Sequence, residues 1–252
     1  MKNVTIYSTP TCVYCNMAKD FFKANNVNFT EHNVASDLEK RKEMVEKSGQ
    51  LGVPVITIGD DLIVGFDEAE IRKAVTAIIK AIGEDPEREG LAGTPRRVAE
   101  MYAELFMGLT VDPREELTVG FEEGHREMVI LRDIPFFSMC EHHLLPFYGV
   151  AHIGYIPNAN GRVVGASKLA RVVEIIARRP QLQERMTSQI ADAIVDGIKP
   201  DGVAIVIQAE HLCLIMRGIK KPGSSVITSA VRGSFRSKSK TRAEFFSLLQ
   251  SK

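Results

Sequence analysis

Cys140, His142 and His143 put one thiol and two imidazoles within four residues, in the stretch Ser138-Met139-Cys140-Glu141-His142-His143-Leu144-Leu145-Pro146-Phe147. A packed core has no need of that cluster. Cys140 and His143 have the C-x-x-H spacing by which one tight turn offers two ligands to a tetrahedral zinc ion, with His142 beside the metal rather than on it. A third ligand must come from elsewhere, and the candidate lies in Ala209–Gly218. That segment reads as a strand continuing Val203–Ile207, so alternation puts His211, Cys213 and Arg217 on one face and Leu212, Leu214 and Met216 on the other. Two thiolates, one imidazole and an open coordination position make the ligand count of a catalytic zinc site. The competing arrangement is a closed structural site, with Cys140, His143, Cys213 and either His142 or His211 filling four positions.

A second sulfur pair occurs in Thr9-Pro10-Thr11-Cys12-Val13-Tyr14-Cys15, between a short β-rich run, Val4–Ser8, and a helical pattern carrying Met17, Ala18, Phe21 and Phe22. Strand, redox turn and helix follow in that order. The unpaired N–H groups and dipole at a helix start favour a thiolate, which makes Cys12 the attacking sulfur and Cys15 the resolving one. A strand at Asn28–Asn33 and a polar helix at Ser36–Ser48 lead to Gly52–Ile58, where Pro54 before an apolar run suggests a cis bond at a tight approach. Half a zinc site is the alternative for C-x-x-C alone, and the flanking strand, helix and Val53-Pro54 pair argue against it.

The elements that must position these groups follow from periodicity and composition. With 252 residues the chain holds one large or two modest domains. Lys plus Arg and Asp plus Glu are both 32, so the net charge is zero, which excludes a generally basic nucleic-acid binder and leaves anions to local patches. No apolar run approaches the length of a membrane span, and Met1 leads directly into a strand, so a cytoplasmic protein is expected. Four cysteines, two of them in C-x-x-C, suit a reducing compartment.

A helix from Glu68 to Ile82 runs across the expected domain limit near Val75, giving domains 1–75 and 76–252. Thr94-Pro95 is expected to cap and start a helix bearing Val98, Met101, Tyr102, Leu105 and Phe106. A strand is expected over Phe121–Asp133, leading into the Cys140 loop, and another over Phe147–Ile156. Two helices follow. One is capped at Ser167, with Lys168 and Arg171 on one face and Leu169, Val172, Val173 and Ile176 as its apolar stripe; the other starts at Pro180, with Gln183 and Glu184 in its first turn. A strand at Ser224–Ala230 and a helix at Arg242–Leu249 close the chain. Lys168, Arg171 and Arg217 suit a phosphate chain, and Glu184 suits the paired N–H donors of a guanine edge. The residues alone reach zinc-assisted hydrolysis of a phosphorylated heterocycle.

Residues 1 to about 75 resemble a glutaredoxin in the CVYC motif, the Val53-Pro54 pair expected to face it, and Gly65-Phe66-Asp67-Glu68 opening the last helix. Typical glutathione-using members carry paired glycines followed by acidic residues there; Gly65-Phe66-Asp67 departs from that and leaves the electron donor open between glutathione and a thioredoxin-reductase-like partner. From about residue 76 to 252 the chain resembles GTP cyclohydrolase I in four ordered segments: Ser138–Phe147, Ser167-Lys168-Leu169-Ala170-Arg171, Arg179-Pro180-Gln181-Leu182-Gln183-Glu184-Arg185, and His211-Leu212-Cys213 through Arg217-Gly218. The resemblance implies an α/β thioredoxin-like domain followed by an α+β T-fold domain. It implies conversion of GTP and water to 7,8-dihydroneopterin triphosphate and formate, the entry step of tetrahydrofolate synthesis. Cys140, His143 and Cys213 would hold one zinc ion per subunit, which activates water for attack at C8. His142 and His211 would shuttle protons. Glu184 and Gln183 would read the guanine and ribose end; Ser167, Lys168, Arg171 and Arg217 would hold the triphosphate. Arg97 matches an arginine that reaches a neighbouring subunit's site in a ring-based homodecamer. The alternative is a redox protein whose T-fold part serves as a nucleotide-binding or regulatory platform.

Overall fold

The computed structural model describes residues 3–10, 12–49, 52–65 and 67–250. The chain folds as two compact units, Met1–Asp112 and Pro113–Lys252. The first contains β1 (Val4–Ser8), α1 (Val13–Ala24), β2 (Phe29–Asn33), α2 (Leu38–Ser48), β3 (Val55–Ile58), β4 (Asp61–Val64), α3 (Glu68–Ala81) and α4 (Thr94–Leu105). Its sheet has the order β2-β1-β3-β4. β2 runs parallel to β1, as a crossover through α1 requires, and β3 and β4 add antiparallel neighbours. The chain enters α1 at Cys12, the N-cap residue, whose sulfur accepts a hydrogen bond from the Cys15 N–H at 3.1 Å. Cys12 and Cys15 form a disulfide with their Cα atoms 5.3 Å apart. The Val53–Pro54 bond is cis, and the Val53 carbonyl oxygen lies 3.8 Å from the Cys12 sulfur.

Several boundaries differ from the sequence expectations. β4 was not anticipated. α2 begins at Leu38, not Ser36, because the Asp37 carboxylate caps it by accepting from the Lys40 N–H at 3.0 Å. Gly93 is the N-cap of α4; Thr94 lies inside the first turn, where its hydroxyl accepts from Arg97 Nη2 at 2.9 Å. The helices α3 and α4 pack together, which carries the compact unit past Val75 to Asp112. Thr11, Phe66 and the side chain of Met17 lie outside the described residues.

The second unit contains β5 (Gly120–Glu122), β6 (Val129–Cys140), β7 (Leu145–Ile156), β8 (Arg162–Val164), α5 (Ala166–Ala177), β9 (Pro180–Gln181), α6 (Gln183–Ile198), β10 (Gly202–His211), α7 (Leu212–Ile215), β11 (Val226–Gly233), α8 (Ser234–Ser237) and α9 (Ser239–Gln250). The sheet order is β11-β10-β7-β6-β9. The four long strands are antiparallel, and β9 pairs parallel with the end of β6 through Met139↔Pro180 and Cys140↔Gln181. One sheet face packs on α5 and α6: Leu169, Val172, Val173 and Ile176 with Met186, Ile190 and Ile194 meet Phe136, Ala151, Ile153, Ile205 and Ile207. Ala204 and Val206 on the other face pack with Phe235 and Phe245.

The expected strand Phe121–Asp133 is two strands, β5 and the start of β6. Ser167 does not cap α5. Gly165 does, without a side-chain bond, and Ser167 falls in the first turn. Pro180 does not open α6 either, since its pairing with Met139 holds it extended and the helix starts after Leu182.

β6 bulges between Leu131 and Ile134, where Asp133 takes φ +58°. The Asp133 N–H donates to His152 Nδ1 at 3.1 Å, so that nitrogen is unprotonated in the folded chain. Burial pushes His152 below its usual value of 6.5, against a weaker upward pull from the Asp133 carboxylate. A histidine whose folded pKa is depressed binds fewer protons folded than unfolded, so its stabilisation is present above pH 6.5 and is lost as pH falls through the folded value. The urea midpoint of the second unit should therefore drop between about pH 7.5 and about pH 5.5, and His152→Asn, which keeps an acceptor near Nδ1, should reduce that drop.

Candidate metal and nucleotide site

β6 ends at Cys140, and the chain reverses over Glu141–Leu144 before β7 begins at Leu145. The Leu144 N–H donates to the Cys140 carbonyl at 2.8 Å, and Leu144 takes φ +50° to close the turn. A leucine in that left-handed region costs about 1–2 kcal/mol, so the surroundings must hold the turn. Arg185, in the first turns of α6, does so. Its Nη2 donates to the Glu141 carboxylate and, at 3.0 Å, to the Pro180 carbonyl, while its Nε donates to Gln181 Oε1 at 3.1 Å. The Arg185 guanidinium holds the Glu141 carboxyl below the usual range. Ser138, buried, donates to the Ala177 carbonyl at 2.7 Å and ties the end of β6 to the end of α5.

The segment after β10 differs from the expectation. His211 is the last strand residue and pairs with Phe147; the next partner along β7 is Pro146, which has no N–H to continue the ladder. The chain turns into the one-turn helix α7, so His211, Cys213 and Arg217 do not share a strand face. Cys213 and Arg217 still lie near Cys140 and His143. Ligand atoms of Cys140, His143 and Cys213 all lie within 4.8 Å of one another. A tetrahedral ion with Zn–S near 2.3 Å and Zn–N near 2.0 Å needs its donors about 3.5–3.8 Å apart, so this trio suits a small divalent cation with only side-chain adjustment. Arg217 Nη1 lies 2.8 Å from His143 Nε2. Burial, then the neighbouring Cys140, push the Cys213 thiol up, against a smaller downward pull from its own backbone and Arg217. A bound cation supplies the charge that reverses that balance.

His211 stacks on Phe147 with centroids 4.6 Å apart and an interplanar angle of 1°, and its Nε2 lies 2.7 Å from Gln183 Oε1. Burial lowers the His211 pKa, with Glu184 pulling weakly upward. His142 is exposed beside His143, ring edge to face at 6.3 Å, and Glu184 is exposed. Lys168 and Arg171 reach Glu116 Oε2 at 3.0 and 3.4 Å, in a segment sequence reading passed over, and Ser167 is exposed at the same helix start. Lys168 and then Arg171 hold the Glu116 carboxyl below its usual range. Arg97 belongs to the N-terminal unit, where it also reaches the Gly90 carbonyl at 3.4 Å. Sequence reading missed Glu116 and Arg185; the one signal for Arg185 was its place two residues after Gln183 in a matching segment.

The family model of GTP cyclohydrolase I matches residues 71–250. The chain belongs to the GTP cyclohydrolase I family. GTP cyclohydrolase 1 of Dehalococcoides mccartyi is 71% identical over 187 residues, covering 74% of this chain and 99% of that protein. GTP cyclohydrolase 1 of Pelotomaculum thermopropionicum is 63% identical over 185 residues, covering 73% and 98%. The glutaredoxin model matches residues 4–63, which makes the chain a fusion of a glutaredoxin-like segment with GTP cyclohydrolase I. The solution structure of glutaredoxin from Brucella melitensis is 30% identical, covers 33% of this chain and 83% of that one, and gives a TM-score of 0.23. The N-terminal segment is thioredoxin-like and the C-terminal one a T-fold with mixed α and β content. Among the described residues no helix is long and apolar enough to cross a membrane.

If Arg185 holds the turn that carries Cys140 and His143, Arg185→Ala should weaken metal binding by about tenfold, the lower end of the range for residues supporting a ligand shell. Competition with a chelator, read by the thiolate absorption of cobalt, measures it.

Proposed function

We propose that the chain converts GTP and water to 7,8-dihydroneopterin triphosphate and formate, the entry step of tetrahydrofolate synthesis, at a zinc ion held by Cys140, His143 and Cys213. The observation that carries this is the convergence of two sulfurs and one imidazole within 4.8 Å in a member of the GTP cyclohydrolase I family. Cys140, His143 and Cys213 would hold the zinc ion, which when bound would make water acidic enough to serve the hydrolysis near neutral pH. The chain's own residues bind the substrate and move protons around that centre. Glu184 accepts from the paired N–H donors of the guanine edge; Ser167, Lys168, Arg171 and Arg217 hold the triphosphate. His142 and His211 move protons during imidazole-ring opening, loss of formate and rearrangement of the ribose. The assembly is a homodecamer in which Arg97 serves a neighbouring subunit's site, and the compartment is the cytoplasm.

The N-terminal segment performs thiol–disulfide exchange. In its reduced form the Cys12 thiolate attacks a target disulfide, forming a mixed disulfide and releasing one target thiol; Cys15 then displaces the second and leaves Cys12–Cys15 oxidised. Two electrons return from glutathione or a thioredoxin-reductase-like protein.

Incubation of the full chain with GTP should give a product fluorescent as a pterin after oxidation, together with formate. A chelator should abolish turnover and added zinc restore it, and His143→Ala should lower the rate by about 100-fold or more. Turnover that resists metal removal would overturn the zinc assignment. For the N-terminal segment, Cys12→Ser should abolish reduction of a small mixed disulfide in a coupled assay while leaving formate release unchanged, and running that assay with each reductant separately identifies the electron donor.

A further inference from the structure

Gln183 opens α6 and was expected to meet substrate, yet it is only 2% exposed. Its Nε2 lies 3.1 Å from the Ile207 carbonyl, 3.0 Å from the Val226 carbonyl and 3.1 Å from Thr228 Oγ1. Two of those partners are backbone carbonyls, which only accept, so the amide cannot be turned over without setting its oxygen against both of them. Oε1 is therefore the end that meets His211 Nε2 at 2.7 Å.

The neighbouring hydroxyls agree. Thr187 Oγ1 donates its single hydrogen to the Gln183 carbonyl at 2.6 Å, so across the 2.7 Å contact with Thr228 it accepts. Thr228 then donates to Thr187 and accepts from Gln183 Nε2. Each hydroxyl hydrogen has one consistent place, and the two Nε2 hydrogens are shared among three acceptors. A carboxamide oxygen only accepts, so the hydrogen between His211 and Gln183 sits on Nε2. Stacking on Phe147 fixes the ring plane in which this bond is made.

We propose that Gln183 is a positioning residue that holds His211 in the Nε2–H tautomer and leaves Nδ1 as the nitrogen able to take a proton, instead of touching substrate itself. The proposal deepens the cyclohydrolase reading and rests on it for the use made of that nitrogen. An imidazole in the wrong tautomer offers a hydrogen where a lone pair is needed, and positioned proton transfer contributes about 10²–10⁴-fold to a rate.

The test is a solid-state nitrogen spectrum of the zinc-loaded full chain carrying 15N-histidine, at about pH 8 where an ordinary histidine is neutral, with His211 assigned by comparison with His211→Asn. The expected spectrum has Nε2 in the protonated range and Nδ1 in the unprotonated one; a protonated Nδ1, or an even mixture, would overturn the proposal whatever the variants do. In Gln183→Met, of similar length and without hydrogen-bonding groups, the tautomers should mix and kcat should fall about 10- to 100-fold, with KM for GTP within about twofold. A rise in KM with kcat and the spectrum unchanged would make Gln183 a substrate contact and sink the idea. Absence of GTP turnover in the unaltered protein would count against the cyclohydrolase reading alone, since the spectrum does not depend on activity.

Discussion

The site depends on the register in which β6, β7 and β10 pair. Cys140 lies opposite Leu145 where β6 turns into β7, and His211 lies opposite Phe147 where β10 ends, so two chain reversals stand side by side at one end of the sheet. That alignment, rather than any local motif, brings Cys213 to a turn formed 70 or so positions earlier, near enough for the three donor atoms to share an ion. Strand side chains alternate, so a slip of one residue in either pairing would turn Cys140 or His211 to the opposite face. The packing of α5 and α6 forbids the slip, because it would also expose Ile153, Ile205 and Ile207.

The polar groups around this corner are held by other polar groups. Glu141 is held by Arg185, the end of β6 by Ser138, and His211 by Gln183. The last two holding groups are buried, where an unpaired donor or acceptor would cost about 1–3 kcal/mol. A loop that carries two of the three clustered donors and includes a leucine at positive φ thus draws its rigidity from the helices behind it.

Residue type and spacing disclosed the Cys140–His143 turn, the CVYC pair, the helical stripes of α5 and α6, and the strand-turn-helix around Cys12, because each is a local pattern. The exit from β10 was not disclosed. Nothing in Leu212-Cys213-Leu214-Ile215 says that the β10–β7 ladder ends at His211↔Phe147, one place before Pro146. The burial of Gln183 was not disclosed for a related reason: it comes from the edges of β10 and β11, which no local window contains. The starts of α4, α5 and α6 were misplaced wherever a Ser, Thr or Pro looked like a boundary while the backbone used glycine or leucine. In the N-terminal unit β4 escaped notice because its four residues begin with an aspartate directly after a turn.

The ion triplet of Glu116, Lys168 and Arg171 changes what an incoming anion encounters. The two cations are aligned before anything arrives, and each is already partnered by a carboxylate. An anion arriving there would have to displace that carboxylate, so the gain would be a difference between two similar attractions. Such an exchange favours a ligand of multiple negative charge over a singly charged one.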